Sequence, residues 1–152
     1  MKILLIQPQY NLARRLPETP SRALLILGTL AKQRGHEVRI EHLDLIEHDG
    51  YAEVLKQFQA KLNSDVKIII GGPHAETWDI PVDKKVIGEG ENGFLEFIGE
   101  PPNIKNIDDI PMPDYSLVNL DQFCGITTIA ALPSMAIMAS RGCPYQCVFC
   151  NT

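Results

Sequence analysis

Two apolar, β-branched runs, Val66-Lys67-Ile68-Ile69-Ile70 and Lys85-Val86-Ile87, each stop at a glycine-rich turn, Gly71-Gly72-Pro73 and Gly88-Glu89-Gly90-Glu91. Runs of this kind suit a buried pleated strand, and the carboxyl ends of strands are where open α/β sheets place their ligands. The rest of the chain up to Pro101 reads the same way. Lys2 to Gln7 is a short strand closed by Pro8. Arg22 to Arg34 presents Ala23, Leu24, Leu25, Leu27, Leu30 and Ala31 on a broad helical face, with Ser21 placed to cap its start and Gly35 to end it. His36 to Glu41 alternates polar and apolar residues, which predicts a strand with one less buried face, near a sheet edge. Tyr51, Val54, Leu55, Phe58 and Leu62 recur at helical spacing, and Phe94, Leu95, Phe97 and Ile98 predict a last short helix. The order strand, helix, strand, helix, strand, strand, helix predicts an α/β fold with a doubly wound, mostly parallel sheet and right-handed crossovers.

Residues 1–100 are expected to form this domain, 101–123 a linker containing Pro101, Pro102, Pro111 and Pro113, and 124–152 the beginning of a second domain. In that last part Ile126 to Leu132 and Met135 to Ala139 are short apolar runs suited to strands. A chain of 152 residues buries roughly 68–70% of the surface its unfolded form exposes, so its cysteines are not needed as staples for a small core. Fourteen Lys and Arg against nineteen Asp and Glu give a net charge of −5. With no basic stripe in any segment, this argues against a nucleic-acid partner held through its phosphates. The apolar stretch at the amino terminus is too short for a signal peptide, and nowhere do roughly eighteen apolar residues run together. The expectation is a cytoplasmic chain with no membrane span, in a compartment where thiols stay reduced.

Three of the four cysteines lie in the last ten residues, as Cys143-Pro144-Tyr145-Gln146-Cys147-Val148-Phe149-Cys150. The spacing CxxxCxxC lets three thiolates on one loop bind three corners of a cubane iron–sulfur cluster and leave one iron open for chemistry. The alternatives are a structural zinc site, with Cys124 or a histidine as fourth ligand, and a chance cluster. Zinc knuckles favour two CxxC pairs, or one CxxC with paired histidines, and the chain has neither.

The stretch from Ser140-Arg141-Gly142 through Cys150 resembles the cluster loop of radical S-adenosylmethionine enzymes. The chain ahead of it resembles their cobalamin-binding branch at five segments in order: Ile3 to Pro8, Leu24 to Val38, Gly71-Gly72-Pro73-His74-Ala75, Gly88-Glu89-Gly90-Glu91, and Ile107 to Tyr115. The resemblance implies a 4Fe-4S cluster on Cys143, Cys147 and Cys150, with S-adenosylmethionine chelating the open iron and cleaved to a 5′-deoxyadenosyl radical. Phe149 corresponds to the aromatic beside the adenine. Arg141 and Gly142 are read as shaping the turn. A Rossmann- or flavodoxin-like cobalamin domain is implied for residues 1–100, with Gly71, Gly72, Pro73, His74, Gly88, Glu89, Gly90 and Glu91 at the cofactor. Glycine there lets the backbone approach a flat corrin or its nucleotide tail without a Cβ in the way.

Two departures qualify what the resemblance implies. The Asp-x-His-x-x-Gly pattern of histidine-ligated cobalamin proteins is absent, since neither His42 nor His48 has the required neighbours. One βα unit that relatives carry between the second strand and the Gly-Gly-Pro-His turn is missing as well. The implied function is radical methyl transfer or rearrangement, in a chain that holds the amino-terminal part of such an enzyme and is cut just after the cluster motif. Its expected partners are the remainder of a radical barrel, in cis or in trans, and a small electron donor such as a flavodoxin or ferredoxin. The rival readings are a stand-alone cobalamin-binding or carrier module, and an α/β interaction protein with a zinc-binding tail.

Overall fold

The computed structural model describes residues 1–7, 19–42, 67–72, 75, 82–123, 137–138, 140–145 and 147–148. Within them the alternation of strand and helix is present: β1 (Lys2–Gln7), α1 (Arg22–Gln33), β2 (Glu37–His42), β3 (Ile69–Gly71), β4 (Lys84–Val86) and α2 (Gly90–Phe97). Three short 3-10 turns follow, Ile107–Asp109, Tyr115–Leu117 and Leu120–Gln122. The predicted helix Tyr51 to Leu62, Val66 of the third strand and the run Ile126 to Leu132 lie outside the described residues. Of the run Met135 to Ala139 only Ile137 and Met138 are described, and neither is in a strand.

Both strand pairs are parallel, as the α/β pattern requires. β1 and β2 pair from Lys2 with Glu37 to Gln7 with His42, and β3 and β4 from Ile69 with Lys84 to Gly71 with Val86. The continuous doubly wound sheet of the sequence reading is not formed among the described residues, where the strands make two separate two-stranded ladders. The second ladder is short: β3 and β4 have three residues each. Helices tie the ladders together. α1 packs on β1 and β2, α2 packs on β3 and β4, and α1 and α2 meet.

Both helices end in the same way. Beyond α1, the Gly35 N–H donates to the Lys32 carbonyl at 3.0 Å and the His36 N–H to the Ala31 carbonyl at 3.1 Å. Beyond α2, the Gly99 N–H donates to Glu96 at 3.1 Å and the Glu100 N–H to Leu95 at 2.8 Å. These are two Schellman motifs, each needing a left-handed residue after the cap, and the φ values of Gly35 and Gly99 are +82° and +81°. The residues that follow the two glycines then pair, His36 Nε2 lying 3.0 Å from Glu100 Oε1. At its start α1 is capped as expected, with Ser21 Oγ accepting from the Leu24 N–H at 3.4 Å.

Among the described residues the main core lies between β1, β2, α1 and α2. Leu5, Leu25, Leu30, Ala31, Ile40, Phe94, Leu95 and Ile98 are buried together, with Leu25, Leu30 and Leu95 fully enclosed. The segment 101–123, of linker composition, lies on this core as a strap. Ile104, Tyr115, Leu117 and Val118 pack against it. The Asn92 side chain donates to the Ile104 carbonyl at 2.7 Å and accepts the Ile104 N–H at 3.0 Å, so one amide imitates a strand partner. Thr29 Oγ1, buried on α1, accepts the Asp114 N–H at 2.8 Å, and Lys32 Nζ donates to Asp114 Oδ2 at 2.6 Å. Each 3-10 turn is opened by a side-chain cap, from Asn106, Asp114 and Asn119 in turn.

Candidate cofactor and cluster site

Because β3 and β4 run parallel, the turns that follow them emerge at one edge of their ladder. The first begins at Gly71 and continues through Gly72, whose φ is +100°, to the buried Ala75, whose N–H donates to the Gly72 carbonyl at 3.0 Å. The second passes through Gly88, with φ of +79°, and leads directly into α2 at Gly90. A Cβ built on Gly72, Gly88 or Gly90 meets nothing within 4 Å among the described residues, which leave the backbone at all three positions open to an approaching group. Gly90 has neither a left-handed backbone nor, among the described residues, a close neighbour. Packing among the described residues therefore gives no reason for glycine at that position.

α2 itself is held close to the ladder. A Cβ on Gly93 would stand 2.8 and 2.9 Å from the two γ-methyls of Val86. This contact sets the distance between the helix and β4, and with it the position of the turn that joins them.

Arg141, ahead of the cysteines, reaches this turn. Its Nη1 donates to Glu89, and its Nη2 lies 2.7 Å from Glu91 Oε1. The Glu91 side chain is only 8% exposed and that of Arg141 22%. The Glu91 hydrogen bond and the nearby carboxylate charges outweigh partial burial and hold the Arg141 guanidinium above its already high ordinary pKa. The sequence reading gave Arg141 a part in shaping the turn and placed Glu89 and Glu91 at a cofactor. The structure brings all three together as one ion-paired cluster. The signal for it was in the chain: Arg141 is the only charged residue between positions 124 and 152.

Cys143 and Cys147 follow on an exposed stretch, each with a free, accessible thiol. Gly142, with φ of +80°, turns the chain between Arg141 and Cys143. Among the described residues no group of three metal-ligating side chains is gathered into one cage. Cys150, Phe149, Pro73, His74 and Cys124 lie outside the described residues. His42, at the end of β2, is buried, accepts the Ser21 N–H on Nε2 at 2.9 Å and meets the Phe123 ring edge-on at 5.1 Å. Among the described residues no helix is long and apolar enough to cross a membrane.

Two curated proteins are similar to the chain. An uncharacterized methyltransferase of Pyrococcus horikoshii is 29% identical over an alignment of 138 residues, which covers 69% of this chain and 29% of the relative. An uncharacterized methyltransferase of Synechocystis is 29% identical over 123 residues, covering 70% of this chain and 21% of the relative. The chain thus spans less than a third of the length of either relative. No family model matches, and no solved structure does.

Proposed function

We propose that this chain carries the cofactor domain and cluster loop of a radical S-adenosylmethionine methyltransferase of the cobalamin-binding branch. The observation that carries the reading is the joining of two separate motifs. Arg141 ties a segment with accessible, disulfide-free thiols to the glycine turn at the carboxyl end of β4. The names of the two relatives support methyl transfer, and hence S-adenosylmethionine, as the chemistry of that family.

The donor set suits the cluster, since exposed thiols outside disulfides can become the thiolates that iron requires. Cys143, Cys147 and Cys150 are the ligands in this reading, and Phe149 borders the adenine. Bound there, the cluster with S-adenosylmethionine supplies the one-electron cleavage of a sulfonium on which radical methylation depends. The chain's own part is to present three thiolates on one loop and to keep that loop beside the domain. The open backbone at Gly72, Gly88 and Gly90 suits the close approach of a flat corrin or its nucleotide tail. A substrate barrel, in cis or in trans, and a small electron donor such as a flavodoxin or ferredoxin complete the system.

Anaerobic reconstitution with ferrous iron and sulfide is expected to give a cluster chromophore that is lost in the Cys147→Ala variant. Titration with hydroxocobalamin is expected to change the corrin spectrum. No change at millimolar protein removes the cobalamin part of the reading and leaves the cluster part standing.

A further inference from the structure

Arg141 differs from its surroundings in three ways. It is the only charge in a run of 29 residues from position 124 to position 152. Among the described residues from 137 to 148 it is the one that is partly buried rather than exposed. Its two terminal nitrogens engage two different carboxylates, those of Glu89 and Glu91, 52 and 50 positions earlier in the chain. A planar guanidinium can bridge two acceptors in this way, whereas a lysine ammonium is a single point charge that cannot reproduce the fork. Glu91 is buried, and a carboxylate so placed is costly unless a cation is paired with it. The uncharged run around Arg141 offers no second cation to Glu91.

We propose that Arg141 is a positioning residue for the cysteine loop. Its fork on Glu89 and Glu91 sets where Cys143 and Cys147 stand relative to the turn that opens α2. The proposal rests on the reading of Cys143, Cys147 and Cys150 as cluster ligands, and it assigns Glu89 and Glu91 to holding that loop. Gly142 turns the chain immediately after the fork, so the anchor is two residues from the first thiol. Loosening the fork frees the loop to sample other positions, and the cluster is then held less firmly.

The test uses the full chain in two states. In the metal-free protein, Glu91→Gln is expected to shift the backbone amide resonances of Cys143 and Cys147, although it lies about fifty positions away. Glu89→Gln, at a 71% exposed side chain whose loss does not touch the core, is expected to shift the same resonances by less. After anaerobic reconstitution, iron release to a chelator is expected to be about tenfold faster in Arg141→Gln, as befits loss of a charge-assisted pair. Arg141→Lys is expected to fall between that variant and the unaltered chain. Unmoved Cys143 and Cys147 amides in both glutamate variants overturn the proposal whether or not iron binds, and so does equal iron release in all variants. An unaltered chain that takes up no iron while its cysteine amides respond as described overturns the cluster reading and supports the positioning by Arg141.

Discussion

Adding one methyl group at Gly93 tests the packing that places the candidate site. Glycine inside a helix costs about 0.5–1 kcal/mol relative to alanine, so on propensity alone Gly93→Ala stabilises α2. The structure reverses the sign. The new Cβ would lie 2.8 Å from Val86 Cγ1 and 2.9 Å from Cγ2, against roughly 3.5–4.0 Å for relaxed carbon contacts. Rotating Val86 does not relieve both overlaps, because every staggered rotamer of a β-branched side chain leaves a γ-carbon in one of the two positions now filled. Val86 is itself buried, so α2 must move off β4. Overpacking of this kind costs about 1–3 kcal/mol, which leaves a net loss of up to about 2.5 kcal/mol after the helix gain. With a urea m value of about 2 kcal/mol/M, the unfolding midpoint followed by circular dichroism falls by up to about 1.2 M. In a Val86→Ala background the overlap is gone, and Gly93→Ala becomes neutral or stabilising, so the double-mutant cycle shows coupling of about 1 kcal/mol or more. A higher midpoint for Gly93→Ala in the unaltered background, or no coupling to Val86, refutes the close packing of α2 on β4.

Asp114 links the strap to α1, and its carboxyl is lowered to about 2, first by the Lys32 hydrogen bond and then by Ser116. A carboxylate lowered on folding stabilises the folded chain above its ordinary value and loses that contribution as pH falls through the folded value. The stability difference between the unaltered chain and Asp114→Asn is therefore expected to be full at neutral pH and to vanish between about pH 4 and pH 2, shrinking further in high salt. A difference that persists at the acid end contradicts the Lys32 pairing. Gly90→Ala is expected to leave the urea midpoint unchanged or raise it by up to about 0.5 M, since its Cβ meets nothing and alanine favours a helix. The same substitution is expected to weaken hydroxocobalamin binding, which a spectral titration measures; unchanged binding removes Gly90 from the cofactor surface.

The parts of the fold that were legible in the sequence are those set by neighbours in the chain. α1 was bounded to within one residue because Ser21 and Gly35 act within a few residues of the helix they end, and the apolar face between them has one period. The turns after β3 and β4 were legible for the same local reason. The strap was not, because prolines mark only its irregular backbone. Its attachment comes from Thr29, Lys32 and Asn92 reaching Asp114 and Ile104 across the fold, and single polar residues leave no periodic trace. The partners of Arg141 were hidden in the same way: a lone charge in an uncharged run marks the residue, but an ion pair across 50 residues leaves no spacing to read. How the described strands are arranged, as two ladders, likewise depends on tertiary packing, which short apolar runs do not encode.

The cluster is the centre of the account, and elemental analysis of the anaerobically purified and reconstituted chain tests it most directly. The account predicts about four irons and about four sulfides per chain, lost together in Cys143→Ala and in Cys147→Ala. Stoichiometric zinc with neither iron nor sulfide, retained after reconstitution, would contradict it.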